Sequence, residues 1–190
     1  MYRSNPFSRI KLVAVKVRRP AIGLIAAGIL AASVGHAQTL SAPDEAAIRA
    51  TVRAVPEALN HKDMKAYAEL FDDDADWINV VGMHWRGKAN VVKAHTIYLK
   101  TLFSKGGMTT ADMSVRAVTP DVAIAVVTEN DQGGVLPDGS NAPPGSGRLT
   151  YVLVKRNGKW KIVHGHNTGI NFAAQRFDPI NAAGNGQNPK

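Results

Sequence analysis

The period of apolar and polar positions changes several times along the chain, and each change marks an element. Residues 21–32 are apolar without interruption. From Ser41 the pattern becomes helical: Ile48, Val52, Val55 and Leu59 fall on one face of an amphipathic helix running to about Asn60. Ser41-Ala42-Pro43-Asp44 supplies its start, with a serine cap, a proline in the first turn and an acid three residues on. Pro56 sits inside the pattern and predicts a bend or a loosened turn. A short helix over 63–71 presents Met64, Tyr67, Leu70 and Phe71, with Asp72-Asp73-Asp74 as its solvated end. Residues 76–81 and 84–87 read as a strand, a turn at Gly82-Met83 and a short return strand. A third helix over 88–104 carries Val91, Val92, Leu99, Leu102 and Phe103 as its apolar stripe, with His95 on that face.

After Gly106-Gly107 the period drops to two. Strands are predicted over 109–119 and 122–131, joined across Pro120-Asp121. Residues 132–147, rich in Gly, Pro, Ser and Asn, read as a long mobile loop. Strands over 148–156 and 159–167 flank Asn157-Gly158, a strong hairpin turn signal. Helices first and strands after predict an α+β fold with a mostly antiparallel sheet. The Gly- and Asn-rich tail, 172–190, is expected to be disordered.

The apolar run changes what the composition means. Six basic and no acidic residues precede or border it, and Gly35-His36-Ala37 supplies small residues before Gln38. Residues 1–37 therefore read as a cleaved secretory signal, too short for a comfortable bilayer span of about 20 residues. The expected protein is exported, periplasmic or secreted, with no membrane anchor after processing. Residues 38–43 are a short linker and 44–171 the domain. The full chain carries 23 basic and 15 acidic residues, a net +8; removing the six in the leader leaves 17 against 15, or +2. The charge belongs mostly to the leader, and a nucleic-acid role loses its electrostatic footing. With no cysteine, disulfides, thiol chemistry and lipoprotein anchoring are excluded.

Counting outward from a two-residue turn at Asn157-Gly158 pairs Lys155 with Trp160, Leu153 with Ile162, Tyr151 with His164 and Leu149 with His166. Opposed residues share a face. One face then carries Leu149, Tyr151, Leu153, Trp160, Ile162, His164 and His166; the other carries Thr150, Val152, Val154, Lys161, Val163 and Asn167. The first, richer in large apolar groups, is assigned to the interior, which brings two imidazoles and a phenol into an apolar hollow. A slip of one residue would invert that assignment.

His166 and His164 are accordingly the catalytic candidates, as proton-transfer groups near neutral pH with Asp76 or Glu129 as partner. The blander reading is a pair of hydrogen-bonded histidines lining the pocket. Zinc would need a third ligand such as His95 or Asp76 to converge, and no metal or cofactor is expected. His95, Trp77, Asn79, Tyr67 and Tyr151 are the ligand-binding candidates. Asp76 points away from Trp77 and Asn79 on its strand. Glu129 and Asp131, near a strand end, read as solvated carboxylates.

The order of elements, with Asp72-Asp73-Asp74-Ala75-Asp76-Trp77-Ile78-Asn79, the glycines Gly82 and Gly87, and the closing run Asn157-Gly158-Lys159-Trp160-Lys161-Ile162-Val163-His164-Gly165-His166-Asn167-Thr168, resembles the SnoaL-like branch of the nuclear transport factor 2-like superfamily. Its small stand-alone members, some named SgcJ/EcaC-type oxidoreductases, are the most similar. The resemblance covers about residues 44–171. It implies a curved sheet wrapped round three helices as a cone with a deep pocket, often dimerising through the sheet; it does not imply one function. No dinucleotide fingerprint, P-loop or cysteine pair supports an oxidoreductase. Three functions stay open: a pocket binding an unknown small molecule, apolar or ring-containing; an isomerase, dehydratase or hydrolase using histidine in that pocket; and a homodimeric interaction module without turnover.

Overall fold

The computed structural model describes residues 39–136 and 138–182; the leader, its cleavage boundary and the last eight residues lie outside them. The elements are α1 (Ala42–Asn60), α2 (Met64–Glu69), β1 (Phe71–Ile78), β2 (His84–Arg86), α3 (Lys88–Tyr98), β3 (Thr109–Thr119), β4 (Val122–Asp131), β5 (Gly134–Val135), β6 (Asn141–Ala142), β7 (Gly145–Arg156), β8 (Lys159–Gly169), α4 (Phe172–Gln175) and α5 (Pro179–Ala182). Six strands form one sheet in the order β2-β1-β8-β7-β4-β3. Only the β1–β8 pair is parallel. Helices α1, α2 and α3 pack on its inner face, α1 against β3 and β8 and both α2 and α3 against β1.

Local chemistry explains most boundaries. The Ser41 hydroxyl accepts the Asp44 N–H at 3.2 Å and so caps α1. Asp44 then ties that end to the sheet: Trp160 Nε1 donates to it at 2.9 Å and Lys155 pairs with it at 2.7 Å. The Lys155 bond, with those of Trp160 and Ser41, holds its carboxyl at about 2. α1 runs on through Pro56, which is buried with Val52, Val55 and Leu59, so core packing holds a helix that proline alone would interrupt. At the β7–β8 turn, Asn157 and Gly158 have φ of 52° and 76°, the paired positive values of a type I′ turn.

Four expectations need correction. Asp72–Asp74 lie in β1 rather than ending a helix, paired with Arg156 and Lys88 across neighbouring elements. The third helix stops at Tyr98 because the following segment turns to offer its Thr101 carbonyl to the Val135 N–H. The predicted mobile loop contains the small β5–β6 hairpin docked there; a side chain at Gly134 would collide with the Leu102 carbonyl at 2.1 Å. Within the predicted disordered tail, residues 172–182 form two single-turn helices, the first capped by Asn171.

The largest correction is in register. The hairpin pairs Lys155 with Trp160 and Leu153 with Ile162 as counted, but the next pair is Val152 with His164. Val163 is the extra residue of a β-bulge, which shifts everything beyond it by one. Tyr151 therefore opposes Gly165 and Leu149 opposes Asn167, while His164 and His166 turn to the outer face. Gly165 is also the partner of Trp77 on β1. A Cβ there would lie 2.2 Å from the Trp77 ring, so no larger residue fits. Replacing Gly165 by alanine is expected to cost about 1–3 kcal/mol, the usual range for overpacking. Denaturant unfolding checks this; unchanged stability would mean the ring does not lie over this backbone.

Candidate functional site

The inner face of β4 alternates Ala123, Ala125, Val127 and Glu129, all buried. Small residues there leave room for α1, and the period ends on a carboxylate only 4% exposed. Its neighbour across β7 is Gly147, whose missing side chain leaves a hollow beside it. The hollow has a volume of about 90 Å³ and is walled by Trp77, His95, Phe103, Leu149 and Tyr151, with Asn130, Asp131 and Asn167 toward its rim. A groove of about 460 Å³ between α1 and β3 is larger but open, lined by Arg49, Arg53 and strand β3 rather than by enclosed chemistry.

Buried polar groups ordinarily find hydrogen-bond partners. Here both Glu129 oxygens and the hydroxyls of Tyr67, Tyr151 and Thr110 have none in the protein. Thr110 pairs with Glu129 across the β3–β4 ladder. Burial pushes the Glu129 carboxyl up to about 7. Burial, reinforced by the Glu129 charge, raises both phenols well above their ordinary value, so they remain neutral donors.

His95 stands at the centre of an aromatic cage. Its ring centroid lies 4.9 Å from Trp77, 5.1 Å from Tyr67, 5.4 Å from Trp85 and 6.4 Å from Phe103. Nδ1 is 2.9 Å from the Val91 carbonyl, which only accepts, so Nδ1 carries the proton and Nε2 is the acceptor. Burial, only partly opposed by that bond, lowers the imidazole to about 4. It is neutral at physiological pH.

Of the sequence candidates, Trp77, His95 and Tyr151 meet at this cavity. Tyr67 is fully buried behind His95, close enough for its hydroxyl to feel the Glu129 charge. Asn79 is buried but committed: its Oδ1 accepts the Val81 and Met83 N–H groups at 3.1 and 2.8 Å, organising the β1–β2 turn. His164 and His166 are not in the cavity. His164 Nδ1 and His84 Nε2 flank the Asp76 carboxylate at 2.6 and 2.5 Å on the outer face, and His166 is exposed. Among the described residues no group of three His, Asp or Glu side chains is arranged to hold a metal ion.

Sequence reasoning set Glu129 aside as solvated. The signal was its place in the two-residue period of Ala123, Ala125 and Val127, which carries it inward. It also placed Asn167 outside; the bulge turns Asn167 in, where its Oδ1 accepts Trp77 Nε1–H at 2.9 Å.

A SnoaL-like domain model matches residues 48–168. An uncharacterised protein with a cystatin-like fold from Caulobacter vibrioides is 41% identical, covering 72% of this chain and 96% of that one with a TM-score of 0.68. A nuclear transport factor 2-like protein of unknown function from Pseudomonas putida (19% identity; 72% and 94% covered; TM-score 0.57) shares the fold. So does a ketosteroid isomerase-like protein from Erwinia carotovora atroseptica (19%; 66% and 95%; 0.58). No curated protein matches.

The buried carboxyl carries a stability signature. In the unfolded chain Glu129 ionises near 4.5, in the folded one near 7. Between those values the folded state holds a proton that the unfolded state has lost, so stability is greatest below 4.5 and falls as pH rises toward 7. The fall contributed by this group is about 3 kcal/mol at one pH unit per 1.36 kcal/mol. Comparing wild type with Glu129→Gln by denaturation from pH 4.5 to 8 is expected to show that component only in wild type. Parallel curves would place Glu129 in water.

Proposed function

The chain belongs to the SnoaL-like domain family, and from that premise we propose that it is an exported pocket protein. It holds a small, largely apolar molecule whose polar group meets Glu129 and Tyr151. The observation that carries this reading is that Glu129 and Tyr151, whose buried polar atoms have no partner in the protein, both line an aromatic hollow. Unmade hydrogen bonds of buried groups cost about 1–3 kcal/mol each, and a ligand that supplies them recovers that loss. Export is supported by the leader pattern in the sequence.

A second reading, proton transfer on the bound molecule, is favoured by one feature. A carboxyl near 7 is as ready to take a proton as to give one at neutral pH. On this reading Glu129, rather than His164 or His166, is the acid–base group. We also propose that two copies pair through the outer sheet face, where Val122, Ile124, Val126, Val152 and Val154 form a half-buried apolar strip.

Native mass spectrometry of the protein purified from its own host tests the pocket. A low-mass adduct is expected on wild type and on His166→Ala, and is expected to vanish from Gly147→Leu, whose side chain fills the hollow. An adduct indifferent to Gly147→Leu would place the ligand elsewhere. Sedimentation tests the pairing: Ile124→Lys is expected to convert a dimer to a monomer, and an unchanged sedimentation coefficient would contradict the assigned face.

A further inference from the structure

The cavity's polar inventory is lopsided. Its lining includes two carboxylates, Glu129 and Asp131, and no lysine or arginine. Asp131 spends one oxygen on the Gly133 N–H at 2.7 Å, whereas Glu129 has both oxygens free. His95 has used its proton on Val91 and turns an acceptor nitrogen to its surroundings. The Asn167 oxygen is taken by Trp77. An anionic ligand would meet two acidic side chains and no cationic one. A ligand rich in N–H donors and positive charge would meet free acceptors, and the electron-rich ring faces of Trp77, Tyr151 and Phe103 attract cations at close range.

Size sets a second limit. A hollow of about 150 Å³ takes benzene; one of about 90 Å³ takes roughly four non-hydrogen atoms on the same scale. A six-membered ring does not fit without widening the pocket.

We infer that the pocket's ligand is a small protonated amine, its N–H directed at Glu129 and His95 Nε2 and its carbon groups against Trp77, Phe103 and Leu149. This rests on the pocket reading above and narrows it to a ligand class. Binding the cation requires the ionised carboxylate. Glu129 holds a proton below about 7, so each cation that binds releases one proton there. Affinity then rises about tenfold per pH unit well below that value, more slowly as it is approached, and levels off above it. The titratable groups facing Glu129 do not reverse this. Tyr67 of α2 and Tyr151 of β7 stay neutral, and His95 of α3 is neutral above about 4. Asp131, on Glu129's own strand, accepts the Gly133 N–H. Thr110 of β3, Val55 and Leu59 of α1 and Asn167 of β8 do not titrate.

Three probes with four non-hydrogen atoms each separate the possibilities by calorimetry: trimethylammonium, acetone and acetate. Trimethylammonium is expected to bind, about fivefold more tightly at pH 7 than at pH 6, and with close to one proton released at pH 6, read from the buffer dependence of the heat. Glu129→Gln is expected to weaken it at least 30-fold while the variant still unfolds cooperatively. Acetate is expected not to bind. Acetone binding in place of the cation, or cation binding that ignores both pH and Glu129→Gln, would overturn the amine assignment and leave the pocket intact. Failure of all three probes, together with no adduct in native spectra, would overturn both.

Discussion

Trp77 lying over Gly165 is the contact on which the arrangement of this domain depends. The two residues are partners across the parallel β1–β8 pair, and the indole occupies the volume a side chain at 165 would need. Once Gly165 must face inward, β8 has to gain a residue between Ile162 and His164, and the Val163 bulge supplies it. Everything beyond follows from period two: Asn167 turns in to receive the indole N–H, while His164 and His166 turn out. The same ring forms one wall of the cavity and meets His95 edge-on at 4.9 Å. One packing constraint thus decides both which strand residues are available to a ligand and what shape of space they surround.

Glu129 gives that space its chemistry. A carboxylate enclosed by aromatic and aliphatic side chains without a counter-charge is driven toward its neutral form. Two phenols and a neutral imidazole near it leave several hydrogen-bonding valences unmet at once. Such a cluster is a standing cost to the folded domain, recovered when something that supplies the missing partners enters. The absence of lysine and arginine from the lining sets the sign of what can enter, and the glycine opposite Glu129 keeps room for it.

Much of this was legible in the sequence, and the failures have identifiable physical causes. Strands 109–119 and 122–131 lie where the alternation placed them, because each presents one face to the helices and one away from them. The Ser41 cap and the Asn157-Gly158 turn did what their side chains and backbone freedom dictate. The interior face of the last hairpin was right as far as Ile162 and wrong beyond it. A bulge leaves no mark in an apolar count; only Gly165 between two histidines hinted that an inward position there needed no side chain. Glu129 was misread because its charge was weighed above its register. Alternation along β4 is a statement about geometry and holds even when the residue it carries inward is ionisable.

The ionisation state of the Glu129 carboxyl separates an enclosed cavity from a solvated one. Carbon-detected NMR titration of the Glu129 side chain in the folded, ligand-free protein measures it without perturbing the structure. A midpoint near 7 is the predicted result. A midpoint near 4.5, the ordinary value for a glutamate in water, would contradict the enclosed cavity and the functional reading built on it.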